Sequence, residues 1–284
     1  MKLPANITII GAGLLGTSLA LALRQAGYAG RLTALGRSPA SIETALSRGA
    51  FTGGTCDAKE ALAGADLVIV CTALGAFEEA YGLIEKFAPE GAVVTDVGST
   101  KSSVAAAARK IFKNPRRVIG AHPMAGSEKS GPSAGQADLY AGKPCILTVC
   151  PSDEPHAVAM VEELWGNALQ MRLFRMSPED HDRAVADISH LPHLVAMALA
   201  VVGQSSKGIA VASTGYRDAT RLAASHPGIW ADIFAQNKEA VLASLAQFKK
   251  ELAEFERLIE ADDRAKLEEK IAPISKARGE WKMG

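Results

Sequence analysis

Apolar and β-branched residues come in short, nearly continuous runs through the first half of the chain: Ile7 to Ile10, Leu32 to Leu35, Leu67 to Cys71, Val93 to Val97, Val118 to Gly120 and Ile146 to Val149. A run without polar alternation predicts a strand covered on both faces. Stretches with helical spacing lie between several of the runs, among them Leu14 to Gln25 and Ser41 to Ser47. Strands that alternate with helices imply a doubly wound parallel sheet, an α/β domain with helices on both faces.

The pattern changes after Met176. Ser177, Pro178, Glu179 and Asp180 form a helix start, with a Ser cap, Pro at the first position and acids in the first turn. Helical spacing then runs nearly to the end, broken around Ser205 to Gly208, Ser213 to Gly215 and His226 to Gly228. The chain is therefore expected to divide into a dinucleotide-binding α/β domain over 1–175 and an all-helical domain over 176–284. The longest apolar stretch, Leu194 to Val202, is about half of the ~20 residues that a membrane span needs, and it reads as a buried helix. Lys249 to Lys270 mixes charged and apolar residues at helical spacing, the pattern of a solvated amphipathic helix.

Charge narrows the partners. The 284 residues hold 31 basic and 31 acidic side chains, so there is no basic excess to attract nucleic acid or an anionic membrane, and a small molecule is the expected partner. The N-terminal MKLPANITII has neither the charged region nor the long apolar region of a signal peptide. The cysteines Cys56, Cys71, Cys145 and Cys150 show no CxxC pair and no His at metal-ligand spacing. They read as small apolar residues of a reducing cytoplasm, and no metal is expected.

Gly11-Ala12-Gly13-Leu14-Leu15-Gly16 follows the first strand and opens a helix, the context that a GxGxxG needs to mark a Rossmann-type dinucleotide site. Gly11 makes the tight turn, Gly13 lets the pyrophosphate approach, Gly16 lets helix and strand pack, and the helix start at Leu14 and Leu15 offers N–H groups to phosphate. After the second strand the chain reads Leu35-Gly36-Arg37-Ser38. The acid that would hold the ribose 2′-hydroxyl of NAD is missing. Gly36 leaves room, and Arg37 and Ser38 suit a 2′-phosphate, so NADP is expected ahead of NAD. In the alternative reading Arg37 is an exposed turn residue and NAD binds without the carboxylate. The turns Cys71-Thr72-Ala73 and Val97-Gly98-Ser99-Thr100-Lys101 should face the same crevice.

His122 lies at the end of another strand and suits a general base for a hydroxyl proton. A lone His is also often structural. The polar loop Gly126-Ser127-Glu128-Lys129-Ser130-Gly131 that follows favours a site. His190 and His193 stand three apart with Pro192 between them, which should distort their common face. Arg217 and Arg221, four apart, would share a helix face and could grip a carboxylate. The same spacing equally suits a surface ion-pair pattern with Asp218.

GAGLLGTSLA (11–20), TDVGSTK (95–101), HPMAGSEKSG (122–131), SPEDHD (177–182), SHLPHLVA (189–196) and GYRDATRLAASHPGIW (215–230) occur in order along the chain. Together they resemble the prephenate/arogenate dehydrogenase family of tyrosine biosynthesis. HPMAGSEKSG with SHLPH is far more specific than the glycine fingerprint.

The resemblance implies an NAD(P)-dependent oxidative decarboxylation of prephenate to 4-hydroxyphenylpyruvate, with arogenate as the alternative substrate. It implies that His122 takes the ring hydroxyl proton and that Ser99 lies beside it and the nicotinamide. Arg221 would bind the ring carboxylate. His193, Arg217, Ser127, Glu128 and Gly126 would line the substrate pocket, with Trp230 as wall or core. It further implies a homodimer that pairs through the helical domain. The Ser225-His226-Pro227 segment offers no acid for an amine near the Arg residues, which favours prephenate. A β-hydroxyacid-type dehydrogenase would usually carry a Lys where His190 and His193 stand. A non-catalytic NADP-binding module would have no need of His122, Ser99 and Arg221 together.

Overall fold

The computed structural model describes residues 3–126 and 129–282. Eight strands form one sheet: β1 (Asn6–Ile10), β2 (Arg31–Leu35), β3 (Gly53–Thr55), β4 (Leu67–Val70), β5 (Val93–Asp96), β6 (Val118–Pro123), β7 (Pro144–Thr148) and β8 (Arg172–Met176). Their order is β3-β2-β1-β4-β5-β6-β7-β8. The order runs outward in both directions from the boundary of β1 and β4, which is where doubly wound sheets open a crevice for ligand.

The six apolar runs all form strands. Two further strands, β3 and β8, lie at the sheet's edges, and both are short of buried apolar residues. An edge strand need not be apolar on both faces, so the sequence carries no run to mark it. The parallel expectation holds for every pair except β6 with β7, which is antiparallel, with His122 opposite Ile146. A buried apolar run looks the same in either direction, so composition does not carry this reversal.

Helices cover both faces of the sheet. In the first half they are α1 (Leu14–Gln25), α2 (Pro39–Ser47), α3 (Ala58–Leu62), α4 (Phe77–Phe87), α5 (Ser102–Ile111) and α6 (Pro155–Glu162). One core cluster joins Leu19 and Leu23 of α1 to Trp165 and Leu164, beyond α6. The other joins Tyr81 and Ile84 of α4 and Val104 of α5 to Trp230 and Ile233 from the later helices.

Those later helices are α7 (Pro178–Val185), α8 (Leu191–Gln204), α9 (Thr214–Thr220), α10 (Pro227–Gln236), α11 (Lys238–Glu260) and α12 (Arg264–Glu280). Ser177 caps α7, its hydroxyl accepting the Asp180 N–H at 3.0 Å. A wide π turn, Ala186–His190, joins α7 to α8, and Pro192 follows it in the first turn of α8. Proline clashes with the carbonyl four residues back in an ordinary α-helix, and the wide turn lies where that clash would fall.

The chain packs as two compact units, Met1–Lys238 and Glu239–Gly284. The passage from strands to helices at residue 176 thus falls inside the first unit. In the second, Asp263 caps α12 by accepting the Lys266 N–H at 3.0 Å. Lys270 of α12 reaches Glu251 of α11 at 3.1 Å and lies over the Phe255 ring.

The apolar stretch on α8 is not the buried helix expected. Ala196 is its one buried residue among those described, and Val201 and Val202 are 68% and 67% exposed. With α7 and the π turn it forms a continuous helix of 27 residues, long and apolar enough by length and composition to cross a membrane. Its N-terminal half carries buried His181, Asp182 and His190, whose bonds are described next.

Candidate active site

The glycine fingerprint sits at the crevice. Gly11 has φ +95°, and a Cβ there would lie 2.7 Å from the Cys71 carbonyl oxygen. A Cβ on Gly16 would fall 2.3 Å from the Gly11 carbonyl oxygen, whereas one on Gly13 meets nothing within 4 Å. Two glycines are therefore required by backbone packing, and the third faces open space. Gly13 caps α1 without a side-chain bond, so the helix start presents backbone N–H groups to that space. The Thr72 hydroxyl at the end of β4 is buried and has no hydrogen-bond partner. An open cradle at a helix N-terminus beside an orphaned hydroxyl fits a dinucleotide. Across the crevice Ala73 is exposed and Ser99 half-buried. After β2, Arg37 is exposed, and the Ser38 hydroxyl caps α2, accepting the Ser41 N–H at 3.3 Å.

At the end of β5, Asp96 and Lys101 form a fully buried ion pair. The Asp96 carboxylate also accepts the Gly98 N–H at 2.7 Å, and the Lys101 ammonium donates to the Ala121 carbonyl at 2.8 Å. The pair pins the turn that carries Ser99 against β6, one residue from His122.

His122 is 8% exposed. Its Nδ1 lies 2.9 Å from Nε2 of His181, and Nδ1 of His181 lies 2.8 Å from Oδ1 of Asp182. The Asp182 carboxylate accepts two more bonds, from the backbone N–H groups of Lys101 at 2.8 Å and Ser102 at 2.9 Å. These are the first donors of α5, so an anion from α7 caps a helix of the sheet half. Burial alone would raise the Asp182 carboxyl, but the bonds from His181, Ser102 and Lys101 outweigh it and hold it below the usual range. Burial pushes His122 well below the ordinary histidine value, helped by His181, Lys101 and His190. His181 is lowered by burial too, against the pull of Asp182. The His122 ring is therefore neutral near pH 7.

The SHLPH segment adds a second layer. His190 Nδ1 lies 3.1 Å from the Asn237 amide nitrogen, which also donates to the Asp182 carbonyl at 2.8 Å. His193 Nδ1 donates to the Ser189 carbonyl at 2.9 Å, which leaves Nε2 as an acceptor. The His193 ring stacks on Trp230 of α10. From α10, Asp232 accepts the Gly75 N–H at 3.2 Å, and Gln236 accepts from the hydroxyls of Thr100 at 2.9 Å and Ser103 at 2.8 Å. One helix thus touches the turn after β4, the turn after β5 and the SHLPH segment.

The two arginines do not share a regular helix. Arg217 lies on α9 and pairs with Asp218 at 2.9 Å on the surface, while Arg221 starts the 3-10 turn Arg221–Ala224. Both are exposed. Arg221 is near enough to His193 for its charge to lower that ring, after the larger effect of burial. Gly126 is exposed. Ser127 and Glu128 lie outside the described residues. Among the described residues no group of three or more His, Cys, Asp or Glu could hold a metal ion.

Sequence reasoning missed His181, Asp182, the Asp96–Lys101 pair and Asn237. A signal existed for the first two, a His beside an acid in the first turns of a helix, within a segment already singled out as SPEDHD.

A glycine-cradled dinucleotide crevice facing a buried, neutral histidine defines a nucleotide-binding oxidoreductase. Residues 19–170 match the prephenate dehydrogenase nucleotide-binding domain, and residues 177–272 match the prephenate dehydrogenase dimerization domain. The chain belongs to the prephenate dehydrogenase family. It is 32% identical over 279 residues to a cyclohexadienyl dehydrogenase of Zymomonas mobilis, covering 96% of this chain and 94% of that one. It is 31% identical to a prephenate dehydrogenase of Bacillus subtilis, covering 91% of this chain and 71% of that one. Its fold matches a prephenate dehydrogenase from Aquifex aeolicus, solved with hydroxyphenyl propionate and NAD+, with a TM-score of 0.92 and 31% identity, over 98% of this chain and 99% of that chain.

Proposed function

We propose that this enzyme carries out the oxidative decarboxylation of prephenate to 4-hydroxyphenylpyruvate, with His122 as the base. The observation that carries the reading is His122 itself. It is a buried neutral imidazole at the C-terminal end of β6 with one nitrogen tied back to His181, in a chain that matches the family across both halves. A bound nicotinamide dinucleotide supplies the hydride acceptor.

The chain's residues do the rest. His122 Nε2 accepts the proton of the ring hydroxyl. Ser99, on the turn pinned by Asp96 and Lys101, orients that hydroxyl. Arg221 holds the ring carboxylate, and His193, Arg217 and Gly126 line the pocket. Loss of hydride from the hydroxyl-bearing ring carbon and of CO2 from the opposite carbon makes the ring aromatic, so the protein's contribution is mainly positioning.

NADP is the proposed cofactor. The turn after β2 lacks an acid, and Arg37 is exposed at the place where a 2′-phosphate would meet it. The pairing surface is proposed to be the helical region over 176–284, which presents Ile188, Leu199, Val201 and Val202 to solvent in the single chain. That makes a homodimer, with the functional division of the chain near residue 175.

Arogenate is a second reading. An arogenate dehydrogenase of Synechocystis has the same fold, with a TM-score of 0.83 and 27% identity. Initial rates with prephenate and arogenate, each paired with NAD and NADP, test substrate and cofactor together. Highest kcat/KM for prephenate with NADP is expected. No turnover in any pairing, from folded protein that binds NADP, refutes the assignment.

A further inference from the structure

We propose that His181 and Asp182 are positioning residues that lock His122 in the one tautomer able to take a proton at Nε2. The proposal rests on the reading of His122 as the base.

The bonds force the assignment one after another. The Asp182 carboxylate is an acceptor only, and it already faces the N–H groups of Lys101 and Ser102. The hydrogen between Asp182 and His181, 2.8 Å apart, must therefore lie on His181 Nδ1. A neutral imidazole with Nδ1 protonated has a lone pair at Nε2. The hydrogen in the 2.9 Å contact between the two rings must then lie on His122 Nδ1. That leaves His122 Nε2 with its lone pair, directed away from His181.

A doubly protonated His181 would break the sequence, because it would donate from Nε2 and turn His122 the wrong way. The groups that face this cluster oppose that state. Burial is the largest cause, and the Lys101 ammonium from the turn after β5 adds to it. Asp182 and Asp96 act in the other direction on His181, without overcoming its burial. In the reaction the hydroxyl O–H bond breaks, its electron pair stays on oxygen, and an N–H bond forms at His122 Nε2. The imidazolium keeps its Nδ1 hydrogen donated to His181, whose ring is polarised by Asp182. Outer partners of this kind set tautomer and basicity in histidine sites generally.

A merely structural role for His181 would be packing α7 against β6. Two substitutions separate the roles. His181→Phe keeps an aromatic ring and removes the acceptor. His181→Gln places an amide oxygen near the lost Nε2, able to accept from His122 Nδ1. The expected result is a kcat reduced by about 100-fold in His181→Phe, with KM for substrate and cofactor little changed, and restored to within about 10-fold of the parent in His181→Gln.

Nitrogen chemical shifts of the imidazoles in histidine-labelled protein read the tautomer directly, and the chain has six histidines to assign. His122 should be protonated at Nδ1 in the parent and in His181→Gln, and a mixture in His181→Phe. Dinucleotide binding verifies that each variant is folded. Parental kcat and an unchanged His122 tautomer in His181→Phe overturn the proposal. So does equal loss in both variants with no change of tautomer. The His122→Asn variant keeps the two readings distinct. If it retains turnover the base assignment fails, while the nitrogen shifts still judge whether His181 sets the tautomer.

Discussion

The indole of Trp230 lies almost flat on the imidazole of His193, with ring centroids 3.6 Å apart and planes 24° from parallel. The contact joins α10 to α8 at the proposed substrate pocket. Truncating a buried Trp typically costs about 3–5 kcal/mol, and here it also frees the His193 ring to rotate. Trp230→Ala should lower stability by that order and raise KM for substrate more than KM for cofactor. Trp230→Phe should keep most of the stacking and lose much less on both counts. Denaturant melts and steady-state kinetics of the two variants measure this.

Asp96 and Lys101 form an ion pair in which neither side chain is more than 1% exposed. Removing one member leaves the other charge buried without its partner, a loss of about 3–5 kcal/mol. Asp96→Ala should fall in that range by urea unfolding. It should also lower kcat, because the turn that carries Ser99 loses its anchor to β6. A variant as stable as the parent would show that the pair is neutral in the balance.

His190 is buried and lowered from 6.5 to about 4, chiefly by desolvation. The unfolded chain therefore binds this proton more readily than the folded one. The stabilisation from keeping the ring neutral is complete above the unfolded value and is lost as pH falls toward the folded value. By linkage it is worth about 3 kcal/mol. Stability measured by urea should be steady near neutrality and decline between pH 6.5 and about 4, more steeply than in a His190→Asn variant. His122, His181 and His193 are displaced in the same direction and steepen the decline. For the same reason the acid limb of kcat/KM should lie below the ordinary histidine value, since His122 must be neutral to accept a proton.

Arg37 is the residue on which the cofactor assignment turns. Loss of a charge-assisted bond to a phosphate costs about 1.5–3 kcal/mol. Arg37→Ala should raise KM for NADP by roughly 10- to 100-fold, with little effect on KM for NAD. Equal effects on both would mean that Arg37 is a surface residue and that the 2′-position is read elsewhere.

The glycine fingerprint was legible because its residues answer to local geometry. The φ of Gly11 and the packing of Gly16 against its carbonyl are demands that only glycine meets, and they act within six residues. Leu14–Gln25 was legible in the same way, from spacing alone. The His181–Asp182 dyad was not, because its partners lie about 60 and 80 residues away in sequence. In SPEDHD the acids read as charges for their own helix. Asp180 does serve that end of α7, bonded to Ser177, but Asp182 caps α5 instead. Spacing likewise put Arg217 and Arg221 on one face, and α9 ends at Thr220 between them. The sequence pattern did not carry the break between the two residues.

The wide turn at Ala186–His190 makes chain length itself a functional quantity. Each residue in an α-helix rotates everything after it by about 100°. Shortening this turn by one residue would leave composition, hydropathy and helix content almost untouched. A π turn closes over five residues in place of four, so the loss would tighten it to ordinary α-helix with little net rotation, and would bring the Ile188 carbonyl up against the Pro192 ring. A single-codon deletion there, far milder on paper than any substitution in the pocket, would strain the joint between the two histidine layers. Loops elsewhere in the chain can absorb insertions, but this helix counts its residues.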